Sequence, residues 1–182
     1  MKRKNNTDIF SATNTLKILS FMVGHSGKEF LGSEIQKAAA ISRAGAYIGL
    51  RELIKQRIVL KTKKGKFLMY SVIYDDPLVK QFKVMKNIQI LTPLLARLKS
   101  LSKKIILYGS ASRGEDDPAS DIDLFILAKD ADAAKEVMSG TKIRRKIQAV
   151  VKTPSELADF KDKEKVFLEE VNRGITLWEE KE

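Results

Sequence analysis

The chain has 182 residues, which suits one domain or two small ones, and 43% of them are hydrophobic, with only four prolines and ten glycines. This composition excludes a disordered or fibrous chain. Lysines and arginines number 34 against 23 acidic residues, a formal net charge of +11, which favours a polyanionic partner, nucleic acid first and an anionic membrane surface second.

Other classes are excluded by what the sequence lacks. There is no cysteine, which removes disulfides, thiolate zinc sites and cysteine nucleophiles. The single histidine, His25, cannot build a histidine metal cluster. No apolar run approaches the roughly 18 residues of a membrane span, and the basic start is not followed by a secretory-type apolar segment. We therefore expect a cytoplasmic protein. A membrane-surface partner is not expected either, because no amphipathic basic helix with an aromatic insertion face is evident.

The charge is distributed unevenly along the chain. Residues 1–76 carry 14 bases and 6 acids, residues 77–103 carry 6 bases and no acid, and residues 104–182 carry 14 bases and 17 acids. Net charges of +8, +6 and −3 predict three parts, namely an N-terminal domain, a helical connector and a C-terminal domain.

The first part of the chain has helical spacing. Leu16, Leu19 and Val23 predict a helix within residues 8–24 that ends near Gly24. His25 follows this end, so we expect it to cap the helix C-terminus.

Two further helices are predicted by their capping residues. Ser33 is the expected N-cap of a short helix, with Gln36 three residues on as in a capping box. Ser42 begins a third helix that ends near Gln56. A helix, a short helix, a tight turn and a longer helix are typical of a helix-turn-helix.

Two strand-like runs come next. Residues 58–63 and 66–72 predict a β-hairpin joined around Lys64 and Gly65. With the preceding helices, residues 8–74 resemble a winged helix-turn-helix domain of prokaryotic transcription regulators. This resemblance implies DNA contact through the third helix and the hairpin wing; the alternative is a solvated helix face and a hairpin edge protected by lysines. The expected nucleic-acid-binding residues are Ser42, Arg43, Tyr47, Arg51, Lys55, Lys61, Lys63, Lys64 and Lys66.

The connector is predicted to contain two helices. Pro77 suits a helix start, and an apolar stripe follows, whereas Thr92-Pro93 is expected to end that helix and begin another. Such stripes pack within the protein or form the seam of a homodimer. The inward residues are expected to be Leu78, Phe82, Met85 and Ile88, then Leu94, Leu95, Leu98 and Leu101.

The C-terminal part contains a pair of carboxylates with strand spacing. Asp121 and Asp123 are two residues apart in an apolar run, so they share one face of a strand, while Ile122, Leu124 and Ile126 share the other. Neighbouring carboxylates repel each other and are tolerated mainly when a divalent cation lies between them. We expect Mg²⁺ there.

A second motif precedes this pair. Residues 104–108 predict a strand that ends at Gly109-Ser110 and turns into a helix. Backbone N–H groups and the Ser110 hydroxyl can bind phosphate there, and glycine leaves room for a triphosphate. Together with a cation held by the two aspartates, this is the minimum for in-line nucleotidyl transfer.

These residues resemble a known family. Gly109-Ser110 followed by Asp121-x-Asp123 is similar to the signature of the DNA polymerase β-like nucleotidyltransferase superfamily, and residues 109–124 look most like its minimal nucleotidyltransferase (MNT) type. Together with the winged helix-turn-helix resemblance, this similarity implies an α+β protein in which a winged helix-turn-helix domain precedes a small α/β nucleotidyltransferase domain with a mixed sheet. It also implies that Gly109 and Ser110 hold a nucleoside triphosphate, expected to be ATP, and that Asp121 and Asp123 are catalytic metal ligands. Arg113 is either a further phosphate contact or a surface charge.

The sequence departs from this family at one position. Active members generally carry a third carboxylate on a later strand, which here is residues 146–152 and contains no acid. Gln148 stands near the expected place, and an amide cannot remove a proton. Glu156 is the nearest later carboxylate, but Thr153-Pro154-Ser155-Glu156 is typical of a helix start.

Two functions therefore stay open. The first is a nucleotidyltransferase whose N-terminal domain binds DNA, or alternatively an RNA substrate. The second is a DNA-binding transcription regulator whose degenerate nucleotidyltransferase domain senses nucleotide or binds a partner. Some MNT proteins are antitoxins of HEPN-type ribonuclease toxins, so the resemblance also implies a HEPN-type toxin as a protein acceptor or partner.

Overall fold

The computed structural model describes residues 9–181, and for residues 159–162 it describes the backbone alone. The chain divides into two compact units, Met1–Lys83 and Val84–Glu182, whose boundary falls inside one long helix. The predicted N-terminal domain, 1–76, begins outside the described residues. The class is α+β, as predicted.

The N-terminal unit packs three helices on a small antiparallel sheet. Its strands run in the order β1-β3-β2, and its core includes Ile18, Met22, Ile35 and Leu53, each at most 1% exposed. The elements are α1 (Asn14–Val23), β1 (Phe30–Leu31), α2 (Gly32–Ala38), α3 (Arg43–Lys55), β2 (Val59–Lys64) and β3 (Phe67–Val72), followed by the start of α4 (Pro77–Leu98).

The caps of these helices confirm two predictions and correct a third. The Ser42 hydroxyl accepts a hydrogen bond from Gly45 N–H at 3.0 Å, and His25 Nδ1 donates to the Phe21 carbonyl at 2.8 Å in the last turn of α1. The prediction of Ser33 as N-cap of α2 is wrong, because the N-cap is Leu31. The Glu34 carboxylate accepts the Leu31 N–H at 2.7 Å, which starts the helix directly after β1.

The hairpin is confirmed. Strands β2 and β3 pair antiparallel from Val59↔Val72 to Lys64↔Phe67, and the turn uses Gly65 at φ +59°. This positive φ is a conformation that glycine adopts without steric cost. The hairpin is extended at its β3 edge by β1.

The predicted division of the connector at Thr92-Pro93 is wrong. Helix α4 runs without a break through Pro93. Proline removes one helical hydrogen bond and crowds the preceding turn. The helix nevertheless continues, because residues before and after Pro93 are buried: Leu91, Leu94 and Leu98 are 0% exposed.

The inward stripe of α4 also needs correction. Phe82 is buried as predicted, but Leu78 and Met85 are 60% and 44% exposed. Val79 and Val84 are buried instead, at 1% and 4%. The predicted buried face is therefore wrong at Leu78 and Met85, whereas Leu94, Leu95 and Leu98 are buried as predicted.

The C-terminal unit has a four-stranded mixed sheet between two helical layers. The strand order is β6-β5-β4-β7, with β5 and β6 parallel and the other pairs antiparallel, which confirms the predicted mixed sheet. After the end of α4 the elements are β4 (Ser102–Tyr108), α5 (Gly109–Arg113), β5 (Ile122–Ala128), α6 (Ala131–Ser139), β6 (Ile147–Lys152), α7 (Pro154–Lys163), α8 (Lys165–Asn172) and β7 (Ile175–Glu179).

The two faces of this sheet have different cores. One face, with Ile122, Leu124 and Ile126 at 0% exposure, packs against apolar residues of α4 and α6. The other packs against α7 and α8 through residues that include Phe125 and Val171. In the part of the chain that is described, no helix is long and apolar enough to cross a membrane.

Candidate functional site

The two predicted motifs meet at one end of β4 and β5. Tyr108, the last residue of β4, pairs with Asp123 of β5, so Gly109 follows directly beside the Asp123 side chain. A Cβ on Gly109 would lie 2.4 Å from Asp123 Oδ2. Gly109 also has φ +68°. The glycine predicted to approach phosphate and the carboxylate predicted to bind metal are therefore immediate neighbours.

Asp123 carries the electrostatic strain expected of a buried carboxylate beside a second one. Burial raises the pKa of Asp123, and the negative charge of Asp121 raises it further. The pKa of Tyr108 is also raised, first by burial and then by the charge of Asp123, so its phenol stays protonated. A hard divalent cation with oxygen ligands fits this pair, because it would relieve both the desolvation and the repulsion.

Helix α5 begins at this glycine, Gly109. Ser110 is half-buried in its first turn, and the Ser112 hydroxyl donates to the Gly109 carbonyl at 2.7 Å. The helix ends at Gly114 with φ +69°. The hydrogen bond from Ser112 thus stabilises the turn from β4 into α5.

Arg113 is held by two carboxylates. Its Nε donates to Glu115 at 3.0 Å, and its Nη1 donates to Glu170 of α8 at 2.6 Å. Hydrogen bonds to these two acids raise the pKa of the guanidinium. In this arrangement Arg113 links α5 to α8.

Strand β6 places Gln148 beside Asp123. The two residues are register partners in the parallel β5/β6 pair, so their side chains leave the same face of the sheet. Gln148 thus stands beside Asp123, on the strand where the resemblance leads one to expect an acid. Among the residues that the structure describes, no group of three or more acidic, histidine or cysteine side chains is arranged to hold a metal.

Glu156 is bound through its carboxylate to Thr153 at the start of α7. Its carboxylate accepts the Thr153 N–H at 2.8 Å, and its own N–H donates to the Thr153 hydroxyl at 3.3 Å, which confirms the predicted helix start. The bond from the Thr153 N–H is the largest cause of the lowered pKa of Glu156.

Two basic residues near the carboxylates were not found from the sequence. Lys146 Nζ lies 2.6 Å from Asp121 Oδ2, and Arg145 binds the buried Asp116. Asp116 also contacts Asn87 of α4. No spacing rule reveals these contacts, because 25 to 29 positions separate the partners.

The residues predicted to bind nucleic acid lie on two surfaces of the N-terminal unit. Arg43, Tyr47, Arg51 and Lys55 recur every four residues along the exposed side of α3. The opposite side is close-packed, since a Cβ on Gly49 would lie 2.6 Å from Ile18 Cδ1.

The hairpin lysines are exposed but not equivalent. Lys64 forms an ion pair with Glu29, and Lys66 lies over the Phe67 ring, 5.6 Å from its centroid. Lys61 and Lys63 are exposed on β2. Ser42 is also exposed, with its hydroxyl engaged as the N-cap of α3.

A glycine-serine turn beside an Asp-x-Asp strand, on a mixed sheet between helices, defines a nucleotidyltransferase-type domain. Residues 91–182 match the family described as "Polymerase beta, Nucleotidyltransferase". The match spans half of the chain, so this protein belongs to that family.

Similarity to individual proteins is limited. A crystal structure from Sulfolobus solfataricus assigned as a nucleotidyltransferase is similar at 16% identity and a TM-score of 0.38, over 55% of this chain and 86% of that one. No curated protein matches the sequence.

Proposed function

We propose that this protein binds a nucleoside triphosphate, with ATP as the expected nucleotide, and a divalent cation, and transfers a nucleoside monophosphate to an acceptor hydroxyl with release of pyrophosphate. The contact of Asp123 with Gly109 carries the proposal. It brings the residue types suited to phosphate and to Mg²⁺ together in the domain that belongs to the nucleotidyltransferase family.

The residues of the site would divide the work. Asp121 and Asp123 would hold Mg²⁺, which when bound neutralises phosphate charge and polarises the reacting phosphoryl group. Ser110 and the backbone of the turn would orient the phosphates. Gln148 cannot accept the proton of an attacking hydroxyl, so transfer by this site would depend on positioning and electrostatics.

Transfer is tested with radiolabelled nucleoside triphosphates, Mg²⁺ and candidate acceptors, namely the protein itself, a HEPN-type ribonuclease and nucleic acid. We expect transfer that is lost in Asp121→Ala and Asp123→Ala. Glu156→Ala is the matched control, because it removes a carboxylate that is bound to Thr153 at the start of α7. Transfer that survives both aspartate substitutions would contradict the proposed site.

A second candidate is a DNA-binding regulator whose nucleotidyltransferase domain senses nucleotide or binds a partner protein without turnover. The pairing of Asp123 with Gln148 favours it, since this position supplies no base. Nucleotide binding without transfer to any acceptor would support it. Gln148→Asp should then strengthen Mg²⁺-dependent nucleotide binding or create transfer, whereas Gln148→Asn, which keeps the amide, should do neither.

We propose that the N-terminal unit is a winged helix-turn-helix that binds duplex DNA. Support comes from the exposed basic stripe of α3 and from a lysine-bearing hairpin that follows it. A side chain such as Arg43 or Arg51 could reach base edges, and the hairpin lysines could bind phosphates.

DNA binding is tested by its salt dependence. Each lysine–phosphate contact contributes about 0.9 to the slope of log K against log salt, so Lys61→Gln with Lys63→Gln should reduce that slope by about 2. Lys28→Gln, an exposed lysine outside α3 and the hairpin, is the control. Binding that does not respond to salt would contradict the proposal, and tighter binding to single-stranded RNA would identify RNA as the substrate.

A further inference from the structure

We infer that Asn87, Asp116 and Arg145 form a positioning cluster for Asp121, a role that rests on the proposed function of the carboxylate pair. None of the three belongs to the glycine-serine or Asp-x-Asp motif. They come from α4, from the loop between α5 and β5, and from the segment before β6.

The three side chains bind one another through polar contacts, and two of them are buried. Asp116 is 1% exposed and Asn87 is 2% exposed. Arg145 Nη1 lies 2.5 Å from Asp116 Oδ2 and 3.1 Å from Asn87 Oδ1, while Asn87 Nδ2 donates to Asp116 Oδ1 at 3.0 Å. Each member therefore contacts the other two, which restricts their side chains to one arrangement.

The cluster reaches the backbone on both sides of the loop. Asn87 Nδ2 also donates to the Ala111 carbonyl in α5 at 3.1 Å. Arg145 Nη2 donates to the Ser120 carbonyl at 2.5 Å and to the Asp117 carbonyl at 3.4 Å. Ser120 directly precedes Asp121, so the guanidinium holds the peptide from which the first carboxylate of the pair extends.

A second contact fixes the other side of Asp121. Ile122 N–H donates to the Lys146 carbonyl at 2.9 Å. The two residues that flank Asp121 are thus bound to two consecutive residues, Arg145 and Lys146. This arrangement sets the direction of the Asp121 side chain relative to Asp123.

Stability alone is a poor explanation for such a cluster. Burying charged groups costs desolvation energy, and an apolar set of the same volume is often equally stabilising. Arg145 Nε is moreover buried without a hydrogen-bond partner among the described residues. A charged cluster does give directed contacts to particular backbone carbonyls, which apolar packing does not.

The test measures Mn²⁺ affinity of the full-length protein by electron paramagnetic resonance, with thermal unfolding in EDTA measured alongside. Arg145→Lys keeps the charge but loses the planar fork that reaches Asp116 and Ser120 together. We expect the Kd for Mn²⁺ to rise about tenfold or more. Arg144→Lys, the same change at the exposed neighbouring residue, should leave the Kd unchanged. Asp116→Asn is the second variant and should weaken Mn²⁺ binding in a protein that is still folded.

The outcomes separate this inference from the proposed function. Wild-type protein that binds no Mn²⁺ would overturn the proposed site and the inference with it. Wild-type binding with an unchanged Kd in folded Arg145→Lys and Asp116→Asn would overturn the inference alone. If both variants are unfolded in EDTA, the cluster is a stability element, and the positioning role is likewise overturned.

Discussion

Position 109 shows how one residue serves both backbone and site. The sequence argument assigns glycine there to the approach of a triphosphate. The structure adds a positive φ and the contact with Asp123, either of which disfavours a side chain.

Gly109→Ala should destabilise the protein and weaken divalent-cation binding, because the new Cβ must displace the Asp123 carboxylate. Gly65→Ala is the matched control, since Gly65 has φ +59° but no atom within 4 Å of the place that a Cβ would occupy. The left-handed conformation alone costs about 1–2 kcal/mol, and we expect Gly109→Ala to cost more. Chemical denaturation and Mn²⁺ titration measure the two effects; an equal cost at both glycines with unchanged cation binding would contradict the contact.

Asp123 should limit the stability of the cation-free protein. Its pKa is raised in the folded state, so the ionised carboxylate opposes folding above its ordinary value of 3.8, and fully so above the raised folded pKa. Asp123→Asn should therefore stabilise the protein in EDTA at pH 7.5, by less than about 1 kcal/mol given solvent screening, and show almost no gain at pH 4.

Glu156→Gln is the control of opposite sign. The pKa of Glu156 is lowered below its ordinary value of 4.5, so its contribution to stability is present above that value and is lost as pH falls through the lowered pKa. The variant should be less stable than wild type at pH 7.5 and equal to it at low pH. Thermal unfolding at several pH values measures both trends; the same sign for both variants would contradict the assigned causes.

Lys146 should compete with the proposed cation for Asp121. The Lys146 side chain is 77% exposed and its ammonium pairs with the Asp121 carboxylate, so a divalent ion that binds Asp121 would have to displace it. Lys146→Gln should strengthen Mn²⁺ binding roughly threefold or more, as expected from an exposed ion pair. Lys142→Gln removes the same charge nearby without removing this ion pair, and a gain as large in that variant would show a general charge effect instead.

At the scale of elements, α4 shows packing overriding a local signal. Proline at position 93 predicts a break, yet the helix continues because leucines on either side are buried against the sheet. The sheet register is a similar case: Gln148 could be placed near Asp123 by analogy, but its pairing with that residue depends on the alignment of two strands.

Pro93→Ala should stabilise the protein by about 1–3 kcal/mol, because alanine supplies an N–H for the Gln89 carbonyl and removes the crowding of the proline ring. Position 93 is exposed, so no core contact is lost. Thr92→Ala is the control for helix propensity, since it adds no backbone donor. Denaturant unfolding measures both; a loss of stability in Pro93→Ala would show that the packing of α4 needs the proline.

At the scale of the whole molecule, the basic charge lies in the first part of the chain and the proposed nucleotide site lies in the acidic second part. Residues 1–103 carry a net +14 and residues 104–182 a net −3. The basic part suits a polyanion, whereas the acids of the later part include the pair proposed to hold a cation.

Each proposed ligand should therefore stabilise the folded protein only when the residues proposed to bind that ligand are present. ATP with Mg²⁺ at about 100 times its Kd should add about 2.7 kcal/mol, in wild type and in the Lys61→Gln, Lys63→Gln variant but not when Asp121 and Asp123 are both alanine. Duplex DNA should stabilise the wild type and the double-alanine aspartate variant, but not the Lys61→Gln, Lys63→Gln variant. Thermal unfolding with each ligand measures these effects. If the aspartate variant is no longer stabilised by DNA, the proposed DNA-binding surface on α3 and the hairpin is contradicted.

The sequence by itself determined the local features of this protein: the hairpin, the helix caps at Ser42 and Thr153, the shared apolar face of Ile122, Leu124 and Ile126, and the absence of an acid from strand β6. These depend on neighbours within a few residues, where spacing and side-chain chemistry decide the outcome. Only the tertiary structure decided the contact of Gly109 with Asp123, the ion pair of Lys146 and the cluster around Asp116. These contacts join residues far apart in sequence, and their geometry exists only once strands and helices have packed.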